Sequence, residues 1–176
     1  MFVIVMGVTG CGKSTVGALL AARLGLTFHD ADAYHPPQNR ALMAANIPLG
    51  DADRWPWLTH LAELAREWQA RGGAVLACSA LKRAYRDVLV QHVADHRIVY
   101  LEIARALAEQ RLQARRGQHE FVRDFDRLLA GQYRDLEPPD EAITLSAALP
   151  PSEIAERAAG ALLGEAAAVA GPLLLA

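Results

Sequence analysis

The chain has little of what marks the specialised protein classes. Only two of its 176 residues are cysteines, Cys11 and Cys78, which excludes a disulfide-stapled secreted module. Aromatic residues make up 6%, while alanine and leucine abound, and this favours helices with modest side chains over an all-β sandwich. Neither sign of charge dominates. The 18 Lys and Arg against 20 Asp and Glu give a net charge of −2, so no broad basic field exists to hold a nucleic acid or an anionic membrane. Any anion must be held locally. Long apolar runs are also missing. Phe2 to Met6 meets Gly7 before a signal-peptide core could form. The apolar stretch from Ala158 to Ala176 is broken by Gly164, Glu165 and Gly171-Pro172, short of the roughly 20 uninterrupted residues of a spanning helix. These absences predict one cytoplasmic globular domain over residues 1–176, with no nucleic-acid or membrane partner.

Short apolar runs alternate with segments of helical period. Phe2 to Met6, Ala74 to Cys78, Ile98 to Leu101 and Ala142 to Leu145 read as strands buried on both faces, and Thr27-Phe28-His29 as a weaker fifth. Helical periods cover Ser14 to Leu24, Asp53 to Ala70, Leu81 to Val90, Ala104 to Arg115, Arg123 to Leu136 and Ser152 to Leu163, the last with Ser152 as its N-cap. Strand then helix, repeated, predicts a three-layer α/β/α fold on a five-stranded parallel sheet. Ligands of such sheets bind beyond the carboxyl ends of the strands. The segment from His35 to Arg54 is rich in Pro, Asn, Asp and Gly, breaks the apolar period, and reads as an insertion presented at that edge.

Directly after the first strand, Gly7-Val8-Thr9-Gly10-Cys11-Gly12-Lys13-Ser14-Thr15 matches Gly-x-x-x-x-Gly-Lys-Ser/Thr in the strand-to-helix context this phosphate-binding loop requires. The backbone N–H groups and the helix N-terminus cradle phosphates, Lys13 places a cation on the β and γ phosphates, and Ser14 offers a hydroxyl to Mg²⁺. No Asn-Lys-x-Asp guanine signature and no strand-terminal Asp-Glu pair follows, which leaves small-molecule phosphoryl transfer as the large remaining class. Such a reaction needs a carboxylate near the acceptor hydroxyl. Asp30 and Asp32 follow the second strand and, two apart in an extended segment, face one site, Asp30 for the metal and Asp32 for the hydroxyl proton. The lid is expected over residues 111–136. Arg111 and Arg115 share a helical face there without an intervening acid and call for an anion such as the phosphates of ATP. Cys11 at a helix N-terminus and Cys78 at the same edge suggest that oxidation could block the nucleotide site.

Several runs then resemble one family. Asp30-Ala31-Asp32-Ala33-Tyr34-His35-Pro36, Asn39, Met43, Pro48-Leu49, the run Asp51 to Leu58, and the run Cys78 to Asp87, together with the phosphate loop, are similar to the gluconokinases, the P-loop sugar-acid kinases. The resemblance implies a nucleoside-monophosphate-kinase-like P-loop fold, ATP and Mg²⁺ as cofactors, D-gluconate as acceptor, 6-phosphogluconate as product, and a homodimer. An anionic polyol agrees with the residues themselves. Arg54, Lys82 and Arg86 are cations suited to a carboxylate, and Ser79, His35 and Asn39 can hydrogen-bond hydroxyls. Each also has a structural reading: Arg54 paired with Asp51 or Asp53, Lys82 and Arg86 on a solvated helix face, His35 satisfying its own turn. Trp55 and Trp57 are expected to pack. The chain departs from the family pattern at Ala31, at Gln118-His119-Glu120-Phe121 in the lid, and at Gly131-Gln132. A shikimate-kinase-like or nucleotide kinase, or a nucleotide-binding module without transfer activity, are the competing readings.

Overall fold

The computed structural model of the chain describes residues 1–45, 47–114 and 125–169. The strand β1 (Phe2–Met6) explains the architecture best, because all five of its side chains are buried and alternate between two cores. Phe2, Ile4 and Met6 join Leu58, Leu61 and Trp68 of α3 (Asp51–Ala70) and Tyr85 and Leu89 of α4 (Arg83–Val90). Val3 and Val5 join Val16 and Leu20 of α1 (Lys13–Leu24) and Ile154 and Ala158 of α7 (Pro151–Val169). A strand covered on both faces has no polar alternation to show, which is why it reads as a continuous apolar run.

The remaining strands are β2 (Thr27–Asp30), β3 (Ala74–Ala77), β4 (His96–Glu102) and β5 (Ile143–Ser146). They form one five-stranded sheet in the order β2-β3-β1-β4-β5, and every pairing is parallel. From central β1 the chain runs outward to β2, returns to β3, then crosses to β4 and β5. That reversal opens a crevice at the carboxyl ends of the central strands, where the phosphate loop lies. The predicted α/β/α class and parallel sheet are therefore the observed ones. Among the described residues no helix is long and apolar enough to cross a membrane.

Three local expectations are corrected. The insertion contains a helix, α2 (Pro37–Ala44), with Pro37 in its first turn, where the absent N–H costs nothing. A 3₁₀ turn over Ala31–Tyr34 separates Asp30 from Asp32, so the two acids do not share one extended face. The last helix starts at Pro151, which places Ser152 inside it rather than at its cap. The helices α5 (Arg105–Ala114) and α6 (Phe125–Asp135) flank the rest of the expected lid.

Gly73, ahead of β3, has φ +115, and a Cβ there would stand 2.1 Å from the Met1 carbonyl oxygen. Its own N–H bonds to the Trp68 carbonyl at 2.9 Å, so the turn has no freedom to swing away. Gly73→Ala is expected to lower stability by about 2 kcal/mol or more. Urea unfolding measures this, and an unchanged midpoint would contradict it.

Candidate active site

The phosphate loop turns between β1 and α1, and Gly12 caps α1 with φ 97 and no side-chain hydrogen bond. A Cβ on Gly12 would meet nothing within 4 Å, so the glycine is required by its left-handed backbone rather than by packing. The first turn of α1 contains no acidic residue of its own. Lys13 folds back with Nζ 3.2 Å from the Val8 carbonyl, over the loop.

The second strand delivers its acids to two different places. Asp30 Oδ2 accepts the Ser14 hydroxyl at 2.5 Å, while its Oδ1 caps the 3₁₀ turn by accepting the Asp32 amide at 3.1 Å. One oxygen is thus fixed against the phosphate loop and the other against the 3₁₀ turn. The Asp32 side chain is 80% exposed, and its Oδ1 lies 3.9 Å from Nε2 of His35. A hydroxyl and a carboxylate are the hard oxygen donors Mg²⁺ takes when phosphates and water supply its other ligands, so Ser14 and Asp30 fit the ion the sequence implies. Among the described residues no larger cluster of His, Cys, Asp and Glu could hold a metal.

Beside Asp32 the insertion and the loop after β3 make a basic, aromatic wall. The ring of Tyr85 carries the Arg54 guanidinium 5.9 Å and the Lys82 ammonium 5.4 Å from its centroid. Lys82 bonds both oxygens of Asp51, at 2.8 and 3.0 Å, and the Tyr85 hydroxyl donates to the same carboxylate. Bonds from Lys82 and Tyr85 hold the Asp51 carboxyl below its usual range, and the Asp51 bond raises Lys82. Arg54 donates to the Leu49 carbonyl at 3.4 Å and has no ion pair among the described residues. Asp53 instead closes the start of α3 through the Gly50 amide at 2.8 Å.

Two expected acceptor contacts have other tasks here. Arg86, 5% exposed, gives Nη1 to the carbonyls of Ala80 and Leu81 at 3.0 and 2.9 Å, which braces the Ser79 loop where Ala80 is held at φ 44. Asn39, 3% exposed, spends its amide nitrogen inside the protein, on Asp53 and His35. His35 stacks on Trp57 with centroids 4.1 Å apart, and burial, helped by the cations Arg54 and Arg40, pushes it down to about 4. Trp57 packs as expected and donates Nε1 to the Ala31 carbonyl, but Trp55 sits at the surface edge-on to Tyr85.

The nucleotide side is bounded by α5 and the loop after β5. A cavity of about 310 Å³ lies between Gly10, Thr15, Arg111, Ala147, Leu149 and Ile154. Arg111 donates across it to the carbonyls of Gly10 at 3.5 Å and Ala147 at 2.7 Å. Arg115 and the run Gln118 to Phe121 lie outside the described residues. Sequence reasoning missed Gln132, whose Oε1 accepts the Thr9 amide at 2.6 Å and whose Nε2 donates to the Thr9 hydroxyl. It marks Gln132 only as a departure from a family pattern, and a contact across 123 residues leaves no local trace. The thiol hypothesis is corrected. Cys11 and Cys78 are both buried, and burial with the nearby charge of Asp32 pushes Cys78 up to about 12, far from a reactive thiolate.

A phosphate loop at the crevice of this sheet, a hydroxyl-carboxylate pair beside it and a basic acceptor wall define a P-loop kinase acting on a small molecule. A family model described as shikimate kinase matches residues 9–134, so the chain belongs to that family of kinases. A probable gluconokinase of Xenopus tropicalis is 41% identical over 155 residues, 79% of this chain and 80% of that protein. One of Mus musculus is 55% identical over 93 residues, 52% of this chain and only 50% of its own length. The crystal structure of a gluconokinase from Sinorhizobium meliloti 1021 superposes with a TM-score of 0.83 at 36% identity, covering 97% of both chains. The chain belongs to the gluconokinase family.

Because His35 is held at about 4 in the folded protein and titrates near 6.5 when unfolded, only the unfolded chain carries this proton between those values. Its share of stability is complete above about pH 6.5 and is lost as pH falls toward 4. His35→Gln cannot titrate, so the stability of the wild type relative to this variant is expected to fall between neutral and acidic pH. A pH-independent difference in urea midpoints would contradict the assignment.

Proposed function

We propose that the protein transfers the γ-phosphoryl group of ATP to D-gluconate, giving 6-phospho-D-gluconate and ADP. The observation that carries this reading is the Ser14–Asp30 contact at 2.5 Å with Asp32 two residues further on, which brings phosphate-loop and acceptor chemistry to one crevice. Adenosine fits the cavity between Arg111 and Leu149, with its phosphates over the amides of Gly10 to Thr15, alongside Val8, Thr9 and Cys11 in the loop. Lys13 leaves the Val8 carbonyl for the phosphates. Ser14 and Asp30 would hold Mg²⁺, which would supply neutralisation of the charge on the transferring phosphates.

Arg54 and Lys82 receive the gluconate carboxylate, and Ser79 and His35 hydrogen-bond its hydroxyls, with Arg86 and Asn39 behind them. The acceptor oxygen forms its bond to the γ-phosphorus as the bond to the ADP oxygen breaks, and the hydroxyl proton passes to Asp32. Arg111, with Arg115 from the lid, covers the transferring group. The acceptor assignment is supported by relatives whose names are gluconokinase and by cations placed for a carboxylate. The homodimeric form rests on the family resemblance, and the cytoplasmic location on the composition of the sequence.

An acceptor screen with Mg-ATP tests this directly, using gluconate, related sugar acids, shikimate and nucleoside monophosphates. Gluconate is expected to give the highest kcat/KM, and turnover of shikimate alone would instead favour the activity named by the matching family model. Asp32→Asn is expected to lower kcat about 10²-fold or more with little change in KM for ATP. Equal loss of ATP binding would make Asp32 a metal ligand.

A further inference from the structure

The pair Asn39 and His35 lies behind Asp32, and its hydrogen bonds fix atoms that a ring and an amide usually leave ambiguous. The Asn39 side-chain nitrogen stands 2.9 Å from the backbone carbonyl oxygen of Asp53. A carbonyl only accepts, so the amide must present its NH₂ there, and the orientation of Asn39 is settled. The same nitrogen is 3.4 Å from Nδ1 of His35, one helical turn away. Two donors cannot face each other, so Nδ1 has to offer a lone pair. The ring is buried, stacked on Trp57, and has the cations Arg40 of α2 and Arg54 of α3 near it, against the carboxylate of Asp32 from the 3₁₀ turn. Those surroundings favour a neutral imidazole, whose one proton must then sit on Nε2.

We infer that Asn39 is a positioning residue that fixes His35 as the Nε2–H tautomer, making this N–H a donor aimed at Asp32 and at the acceptor hydroxyl beside it. The 3.9 Å between Nε2 and Asp32 Oδ1 exceeds a direct hydrogen bond, so this donor is available to a hydroxyl entering next to the carboxylate. The opposite tautomer would turn a lone pair toward the carboxylate, repelling it, and could only accept from the hydroxyl, in competition with Asp32 for the same proton. Asn39 is well placed for the task because its anchor, Asp53, is held at the start of α3 and precedes Arg54 on the acceptor wall. The tautomer follows from the protein alone. Its role toward an acceptor rests on the proposed kinase reading.

The test is two-bond ¹H–¹⁵N correlation on the full-length protein labelled with ¹⁵N-histidine, without substrate, with His35→Gln assigning the signal. At about pH 7.5 the His35 spectrum is expected to show a protonated Nε2 and a bare Nδ1, unchanged down to about pH 5.5. In Asn39→Asp the new carboxylate accepts from Nδ1, so the tautomer reverses at high pH and the ring takes its second proton nearer neutrality. The activity of that variant should therefore be about tenfold or more below wild type at pH 8 and partly recover as pH falls and Nε2–H returns, a limb the wild type lacks. Asn39→Leu gives a second reading, a mixture of tautomers, if the aspartate variant does not fold. A protonated Nδ1 in the wild type, or an Asn39→Asp spectrum identical to it, overturns the inference. Since the spectra need no substrate, a correct tautomer with no gluconate turnover would fault the proposed reaction and leave this inference standing.

Discussion

The bond from the Ser14 hydroxyl to Asp30 is the contact on which the two halves of the site depend. Ser14 opens α1 directly after the phosphate loop, and Asp30 ends a strand two positions away in the sheet, beyond β3. Their separation in space is set by the parallel order β2-β3-β1 and by the apolar residues that pin β1 between two helical layers. The second oxygen of Asp30 then starts the 3₁₀ turn that carries Asp32 toward the insertion. One carboxylate thereby fixes both the Ser14 hydroxyl and the placement of Asp32.

A second tie runs around the other side of the crevice. Gln132 on α6 grips Thr9 of the phosphate loop through both its amide atoms. Five residues on, the Glu137 amide donates to the Leu81 carbonyl and its carboxylate accepts the Arg83 amide, at the loop that presents Ser79 and Lys82. The end of α6 thus touches the donor loop and the acceptor loop, and buried Arg86 stiffens the latter from beneath. Catalysis by positioning needs this kind of rigidity, because a loose phosphoryl transition state asks little of covalent chemistry and much of alignment.

Much of this was legible in the residues. The five strands could be placed because doubly covered strands show as apolar runs, and the phosphate loop because its glycines and Lys13-Ser14 must be contiguous to work. The helix α2 was hidden by Pro36-Pro37, which reads as a breaker although proline at a helix start is favoured. The Asp30 and Asp32 pair was misjudged in geometry, since spacing by two means one face only while the chain stays extended. The partners of Lys82 and Arg86 were beyond reach for another reason. A cation carries no mark of whether a carboxylate 31 residues away or a nearby carbonyl will take its donors, and only the folded chain decides between Asp51 and substrate.

The proposed reaction aligns a nucleotide phosphate with the terminal hydroxyl of a carboxylate-bearing polyol in one crevice. It is tested most directly by incubating the protein with Mg-ATP and uniformly ¹³C-labelled D-gluconate and following the product by ¹³C and ³¹P NMR. The expected products are stoichiometric ADP and a phosphate ester whose phosphorus couples to C6 of gluconate. Phosphorus coupling at another carbon, or ADP formed with inorganic phosphate and unmodified gluconate, would contradict it.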